Sequence, residues 1–179
     1  MAPTIPPGTL HELQEVGKDL YQLALVTSHG GNLSLRSESD MWITGTGTML
    51  GRLATRHISF VRADGSFEGP PPSSDTVLHS LTYALGGAQA IVHAHPRHAI
   101  AISFERDIFV PADLEGKLHL KEVPVVHTGP RQVEEIAQAL LTHRIVLLRG
   151  HGAYARGQTL WEALSQVHPP EDPDGNVYR

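Results

Sequence analysis

The 179-residue chain contains no cysteine, so disulfide frameworks and thiolate metal sites are excluded. It has no run of lysine and arginine, and its formal net charge is -5. That balance removes the electrostatic footprint of a nucleic-acid or anionic-membrane partner and leaves a small anionic substrate open. Its apolar runs are short, and none approaches the ~20 residues that a membrane span needs. The opening MAPTIPPGTLHEL lacks the basic-then-apolar order of a secretory leader. Hydrophobic residues make up 40% and charged residues 18%, a globular balance with enough apolar mass for a core. There is no internal repeat and no linker. The expectation is one cytoplasmic domain over residues 1–179, with an extended lead-in at 1–8 and a polar tail at 168–179. What the chain holds in excess is histidine, 12 against 14 Lys plus Arg.

Thr9 and Glu12 have capping-box spacing, and Leu10, Leu13, Val16, Leu20 and Leu23 follow at helical intervals, which predicts a first helix to about residue 26. Residues 32–36 and 41–44 alternate as a hairpin, 58–62 reads as a strand, and Ser73-Ser74 precedes a helix over 75–85. A buried strand is predicted at 90–94, a short helix from Pro96 to about 104, strands at 123–126 and 145–148, and helices at 133–141 and 160–167. Pro124 argues for an edge or an end. Residues 105–122 give no clear pattern. The alternation predicts an α/β fold, and the early hairpin predicts a mixed or antiparallel sheet.

Three histidines crowd into IVHAHPRH, residues 91–98. On a strand, i and i+2 face one side, so His93 and His95 project together and suit one ion; a structural pair remains the alternative. His98 lies beyond Pro96 and drops out. His151 sits between two glycines where an apolar strand stops, which fits a third ligand or an ordinary turn residue. Asp75, in the first turn of its helix, either complements the helix dipole or serves as ligand or base. Ser73 and Ser74 at the same helix start, with the turns at Gly31-Asn32 and Thr46-Gly47, offer hydroxyls and free N–H groups to an anion.

Taken in order, Gly31-Asn32-Leu33-Ser34, Ile43-Thr44-Gly45-Thr46-Gly47, Pro72-Ser73-Ser74-Asp75, Val92-His93-Ala94-His95 and Gly150-His151-Gly152 resemble the class II aldolase/adducin family. The resemblance implies a three-layer α/β/α sandwich around a mainly antiparallel sheet. It implies a divalent ion held by His93, His95 and His151: zinc, or another such as Mn2+, Co2+ or Ni2+. A phosphate pocket is implied near Gly31, Asn32, Thr46, Gly47, Ser73 and Ser74, and so is a homotetramer with sites at subunit boundaries.

The implied activity is a metal-dependent aldolase-type lyase on a phosphorylated ketose, through a metal-stabilised enediolate. A ribulose-phosphate-type epimerase, a methylthioribulose-phosphate-type dehydratase and a non-catalytic adducin-like binding protein are the alternatives. Members of the last kind lose the histidines that this chain keeps. Two departures bear on the choice. Fuculose-type aldolases carry glutamate where this chain has Asp75, and aspartate there resembles the epimerases. Aldolases also place a tyrosine acid after the H-x-H helix, where this chain has Asp113 and Glu115; Asp75 and Glu115 are therefore the candidate acid/base residues.

Overall fold

The computed structural model describes residues 3–112 and 114–167. Asp113, the Glu115 side chain and the expected tail at 168–179 lie outside the described residues.

Helix α1 (Pro7–Gln22) buries Leu13, Val16, Gly17 and Leu20, one face at the expected spacing. It begins before the anticipated cap, so the extended lead-in ends at Pro6 and not at residue 8. Proline at the first helical position already has helical φ and lacks an N–H that would go unsatisfied there. Glu12 makes no capping box with Thr9, because its carboxylate accepts the backbone N–H of Leu160 at the start of α6 (Leu160–Val167). The helix also stops before residue 26, at the left-handed Ala24 (φ 55°).

Nine strands among the described residues form one sheet in the order β4-β3-β2-β1-β5-β9-β8-β7-β6. They are β1 (Asn32–Ser37), β2 (Asp40–Thr44), β3 (Ile58–Val61), β4 (Phe67–Glu68), β5 (Ala90–Ala94), β6 (Ile108–Phe109), β7 (Val123–Val126), β8 (Ile145–Leu148) and β9 (Gly152–Gly157). Every neighbouring pair is antiparallel except β7 with β8. The edge strands β4 and β6 have two residues each, which leaves little edge to template another sheet. Pro124 is not on an edge strand as expected: β7 is capped by the two-residue β6, with Pro124 opposite Ile108 near the start of its strand.

Side chains alternate across the sheet. Ala90, Val92, Ala94, Ala153, Ala155 and Leu147 join α1 and α6 in the larger core. The opposite face packs against α2 (Thr76–Leu85) and α5 (Gln132–Thr142), with Ile91 beside Tyr83 and with Val146, Leu148 and Tyr154 beside Leu78, Ile136 and Leu140. These layers make the expected α/β/α sandwich. The uncalled stretch 105–122 supplies β6 and α4 (Leu114–His119), and α3 (Arg97–Ser103) follows β5.

Leu20 is fully buried between α1 and the sheet. Leu20→Ala is expected to lower unfolding stability by about 2–5 kcal/mol, the transfer loss plus a cavity, read from the urea midpoint at unchanged slope.

Candidate metal centre

Antiparallel pairing sets the site. In the ladders flanking β5, His93 stands opposite Asn32 of β1 and Tyr154 of β9. All three side chains project toward α2. The buried His93 ring hydrogen-bonds through Nδ1 to the Ala153 carbonyl at 2.9 Å. A carbonyl only accepts, so Nδ1 carries the proton and Nε2 keeps its lone pair. Burial pushes His93 down to about 3, with Asp75 opposing and His95 and His151 adding to the effect.

His95 is one residue past β5, so the pleat alone does not aim it. Its backbone N–H leaves the ladder for the Leu25 carbonyl, and its ring meets His93 nearly edge-on, at 78°. His95 Nε2 nevertheless lies 3.0 Å from His93 Nε2. Burial lowers the pKa of His95 too, and His151 adds to that effect. His151 enters from the β8–β9 turn, where its N–H donates to Leu148 and Gly150 adopts φ 70°. Its Nε2 is 3.1 Å from that of His93. Glycines make this approach possible: a Cβ on Gly31 (φ 77°) would lie 2.6 Å from the His93 carbonyl oxygen, and one on Gly152 would lie 2.7 Å from His95 Cδ2.

The three ligand atoms lie within 4.8 Å of one another. Converging lone pairs repel unless a cation sits among them. Tetrahedral bonds of about 2.0–2.1 Å to nitrogen give an edge of roughly 3.3 Å, close to the spacing found here. The donor set therefore fits a divalent ion of the zinc type, and burial keeps His93 neutral for that role. His98 is exposed and apart from the cluster.

Asp75 is the residue before α2, and its carboxylate makes no cap hydrogen bond. Instead Oδ2 accepts from Asn32 Nδ2 at 2.8 Å and from the Tyr154 hydroxyl at 3.2 Å, 3.8 Å from His93 Nε2. Burial opposes ionisation of Asp75. Charge on His93, the Asn32 amide, charge on His79 and the Tyr154 hydroxyl outweigh it and hold the carboxyl below its usual range.

The anion candidates divide. Gly31 and Asn32 lie against His93, and the Asn32 amide is engaged with Asp75 while its Oδ1 is buried without a partner among the described residues. Ser73 is buried; its N–H donates to the Thr44 carbonyl and its Oγ accepts the Asp75 N–H. The Thr46 N–H donates to Pro71, which joins the 44–47 loop to the 71–75 loop. Thr46, Gly47 and Ser74 are exposed on that rim.

Reading the sequence gave no role to four residues that line this face. Tyr154 stacks flat on His93, centroids 4.0 Å apart and planes within 8°. Ser34 Oγ lies 2.7 Å from His79 Nδ1 and 2.6 Å from the Tyr83 hydroxyl. The spacing of Asp75, His79 and Tyr83 put them on one helical face, and that was the signal available. Tyr154 had none without the strand that carries it.

Residues 11–169 match the profile of the class II aldolase and adducin N-terminal domain. The chain is 32% identical over 161 residues to an L-fuculose phosphate aldolase of Escherichia coli, covering 86% of this chain and 74% of that one. It is 27% identical over 170 residues to a 3-oxo-tetronate 4-phosphate decarboxylase of Haemophilus influenzae, covering 88% and 81%. A crystal structure of L-fuculose-1-phosphate aldolase from Thermus thermophilus superposes with a TM-score of 0.81 at 37% identity, covering 89% of this chain and 87% of that one.

Burial pushes the fully enclosed His79 from 6.5 down to about 4, against the pull of Asp75. The unfolded chain binds the proton at higher pH than the folded one, so this stability is complete above pH 6.5 and is lost as pH falls toward 4. Metal-free protein should lose about 1.4 kcal/mol per pH unit for each such histidine in that window. His79→Gln should flatten the slope by one proton, measured by urea unfolding across the pH range.

Proposed function

Because the chain belongs to the class II aldolase and adducin family, we propose that it is a divalent-metal-dependent carbon–carbon lyase acting on a small phosphorylated ketose. The observation that carries this reading is a three-histidine cluster with a carboxylate beside it. His93, His95 and His151 hold the ion. When bound there, a divalent ion supplies Lewis-acid polarisation of a substrate carbonyl. Asp75 carries the proton: its Oδ2 is 3.8 Å from a ligand nitrogen, next to where that carbonyl and its neighbouring carbon would sit. Glu115 is the candidate second acid/base. Gly31, Thr46, Gly47, Ser73 and Ser74 form the phosphate rim beside the start of α2, where the exposed Thr46 and Ser74 offer hydroxyl donors to an anion; Asn32 serves both that rim and Asp75.

Relatives of two names support two versions of the reaction. An aldolase and a decarboxylase of a 3-oxo acid both break a carbon–carbon bond whose electrons flow into a nearby carbonyl. The same cluster serves either. An epimerase or dehydratase would use the same polarised carbonyl, whereas a non-catalytic binding module has no need of a carboxylate poised beside three bare imidazole nitrogens.

The proposed assembly is a cytoplasmic homotetramer. His151 opens the cluster to solvent, and Phe104, packed over Gly150 next to it, is 64% exposed. Val110, Leu114 (69%) and Leu118 (63%) are further exposed apolar side chains that a second subunit would cover.

Four measurements test this. His151→Ala should lose both the bound ion and turnover, by elemental analysis and assay. Asp75→Asn should keep the ion and lower kcat by about 10²–10⁴-fold. Full turnover in Asp75→Asn would remove Asp75 as the proton carrier. Assays of phosphorylated ketoses and 3-oxo sugar acids should score aldehyde, carbon dioxide, epimer and water loss separately, and a chain that releases neither aldehyde nor carbon dioxide is not this lyase. Leu118→Asp should shift a tetramer to smaller species by light scattering.

A further inference from the structure

We propose that Ser103 is a positioning residue for His151: its buried hydroxyl fixes the turn that presents the third imidazole to His93 and His95. The inference rests on the reading of those three histidines as a metal centre.

The three rings are held in different ways. His93 is locked by its bond to the Ala153 carbonyl. His95 is packed between Gly30 and Gly152, where added Cβ atoms would lie 2.9 Å from its Nδ1 and 2.7 Å from its Cδ2. His151 has neither support. It is exposed, and among the described residues no carbonyl or carboxylate accepts from its Nδ1. Its backbone therefore sets its aim. That backbone is a tight turn, closed by the His151 N–H on the Leu148 carbonyl and passing through the left-handed Gly150 (φ 70°). Glycine is equally at ease in other conformations, so a contact has to select this one. The Gly150 N–H makes that contact, donating to Ser103 Oγ at 2.9 Å. Ser103 is 1% exposed, and its own hydroxyl proton goes to the Ile100 carbonyl at 2.6 Å, which leaves the oxygen free to accept from Gly150. Phe104 closes over the same glycine, where a Cβ would lie 2.7 Å from its ring. Ser103 is the last residue of α3, and α3 begins two residues after His95. The helix thus runs from one ligand to the turn that carries another and fixes how far apart the two segments stand. The neighbouring pair, Arg149 with Asp107 at 2.5 Å, has a carboxylate that is 75% exposed, and solvent weakens it.

Ser103→Ala deletes the acceptor and frees the turn. Zinc should then bind about ten-fold more weakly, the scale on which groups behind a ligand move metal affinity. Competition with a chromophoric chelator reads this without substrate, and urea unfolding of the metal-free variants confirms that each folds. Ser103→Thr keeps the hydroxyl and should bind zinc as the wild type does. Asp107→Ala, which removes the exposed pair, should also leave zinc affinity unchanged. So should Leu20→Ala, which weakens the fold far from the turn; a purely structural role for Ser103 would make the two behave alike. Unchanged zinc binding in Ser103→Ala overturns the proposal, and so does an equal loss in Ser103→Thr, Asp107→Ala or Leu20→Ala. A wild-type chain that binds no zinc overturns the metal-centre reading itself, and the proposal with it.

Discussion

The hydrogen bond from His93 Nδ1 to the Ala153 carbonyl ties the chemistry of this protein to its sheet. It spans neighbouring strands, so it exists only when β5 and β9 pair in register. It fixes the tautomer of a fully buried imidazole and turns the bare Nε2 toward His95 and His151. Everything else at the site is placed relative to that ring. Tyr154 stacks on it, Asn32 stands opposite it across the β1 ladder, and Asp75 is held by both. A slip of one residue between β5 and β9 would turn His93 to the other face and dissolve the arrangement.

The face of the sheet that carries the site is unusually polar for an interior. Asn32, Ser34, His79 and His93 are all buried there, and Tyr83 and Tyr154 bring hydroxyls into the same layer. Ser34 Oγ links His79 Nδ1 to the Tyr83 hydroxyl. His79 Nε2 and Asn32 Oδ1 are buried and unpartnered among the described residues, each at a cost of about 1–3 kcal/mol. The opposite face, built from Leu13, Val16, Leu20, Val92, Ala153 and Leu160, is apolar and supplies the stability that lets this one be specialised. The division of labour between the faces follows from strand alternation: in β5, Ala90, Val92 and Ala94 serve the core while Ile91 and His93 face the helix that carries Asp75.

Much of this was legible from the residues. The first hairpin, β5, β8, α2 and α6 follow from alternation, periodicity and breakers, and the three histidines were readable as one set through the family resemblance that their motifs carry. Among the elements that escaped, β9 (Gly-Ala-Tyr-Ala-Arg-Gly) matters most for the site. It carries none of the β-branched residues that mark a strand, because Ala153 and Ala155 are fully buried where α6 packs close on the sheet and larger side chains do not fit. Without β9 the opposition of Tyr154 and His93 could not be seen, and Tyr154 stayed a tyrosine without a role. Asn32 was read through its turn as an anion contact; its amide also donates to Asp75, a long-range contact that no local pattern reports.

The position of Asp75 follows from the sheet. Its Oδ2 accepts from Asn32 on β1 and from the Tyr154 hydroxyl on β9, the two strands that flank β5, and stands 3.8 Å from His93 Nε2. The sheet order, more than any single side chain, is what keeps Asp75 close to the cluster.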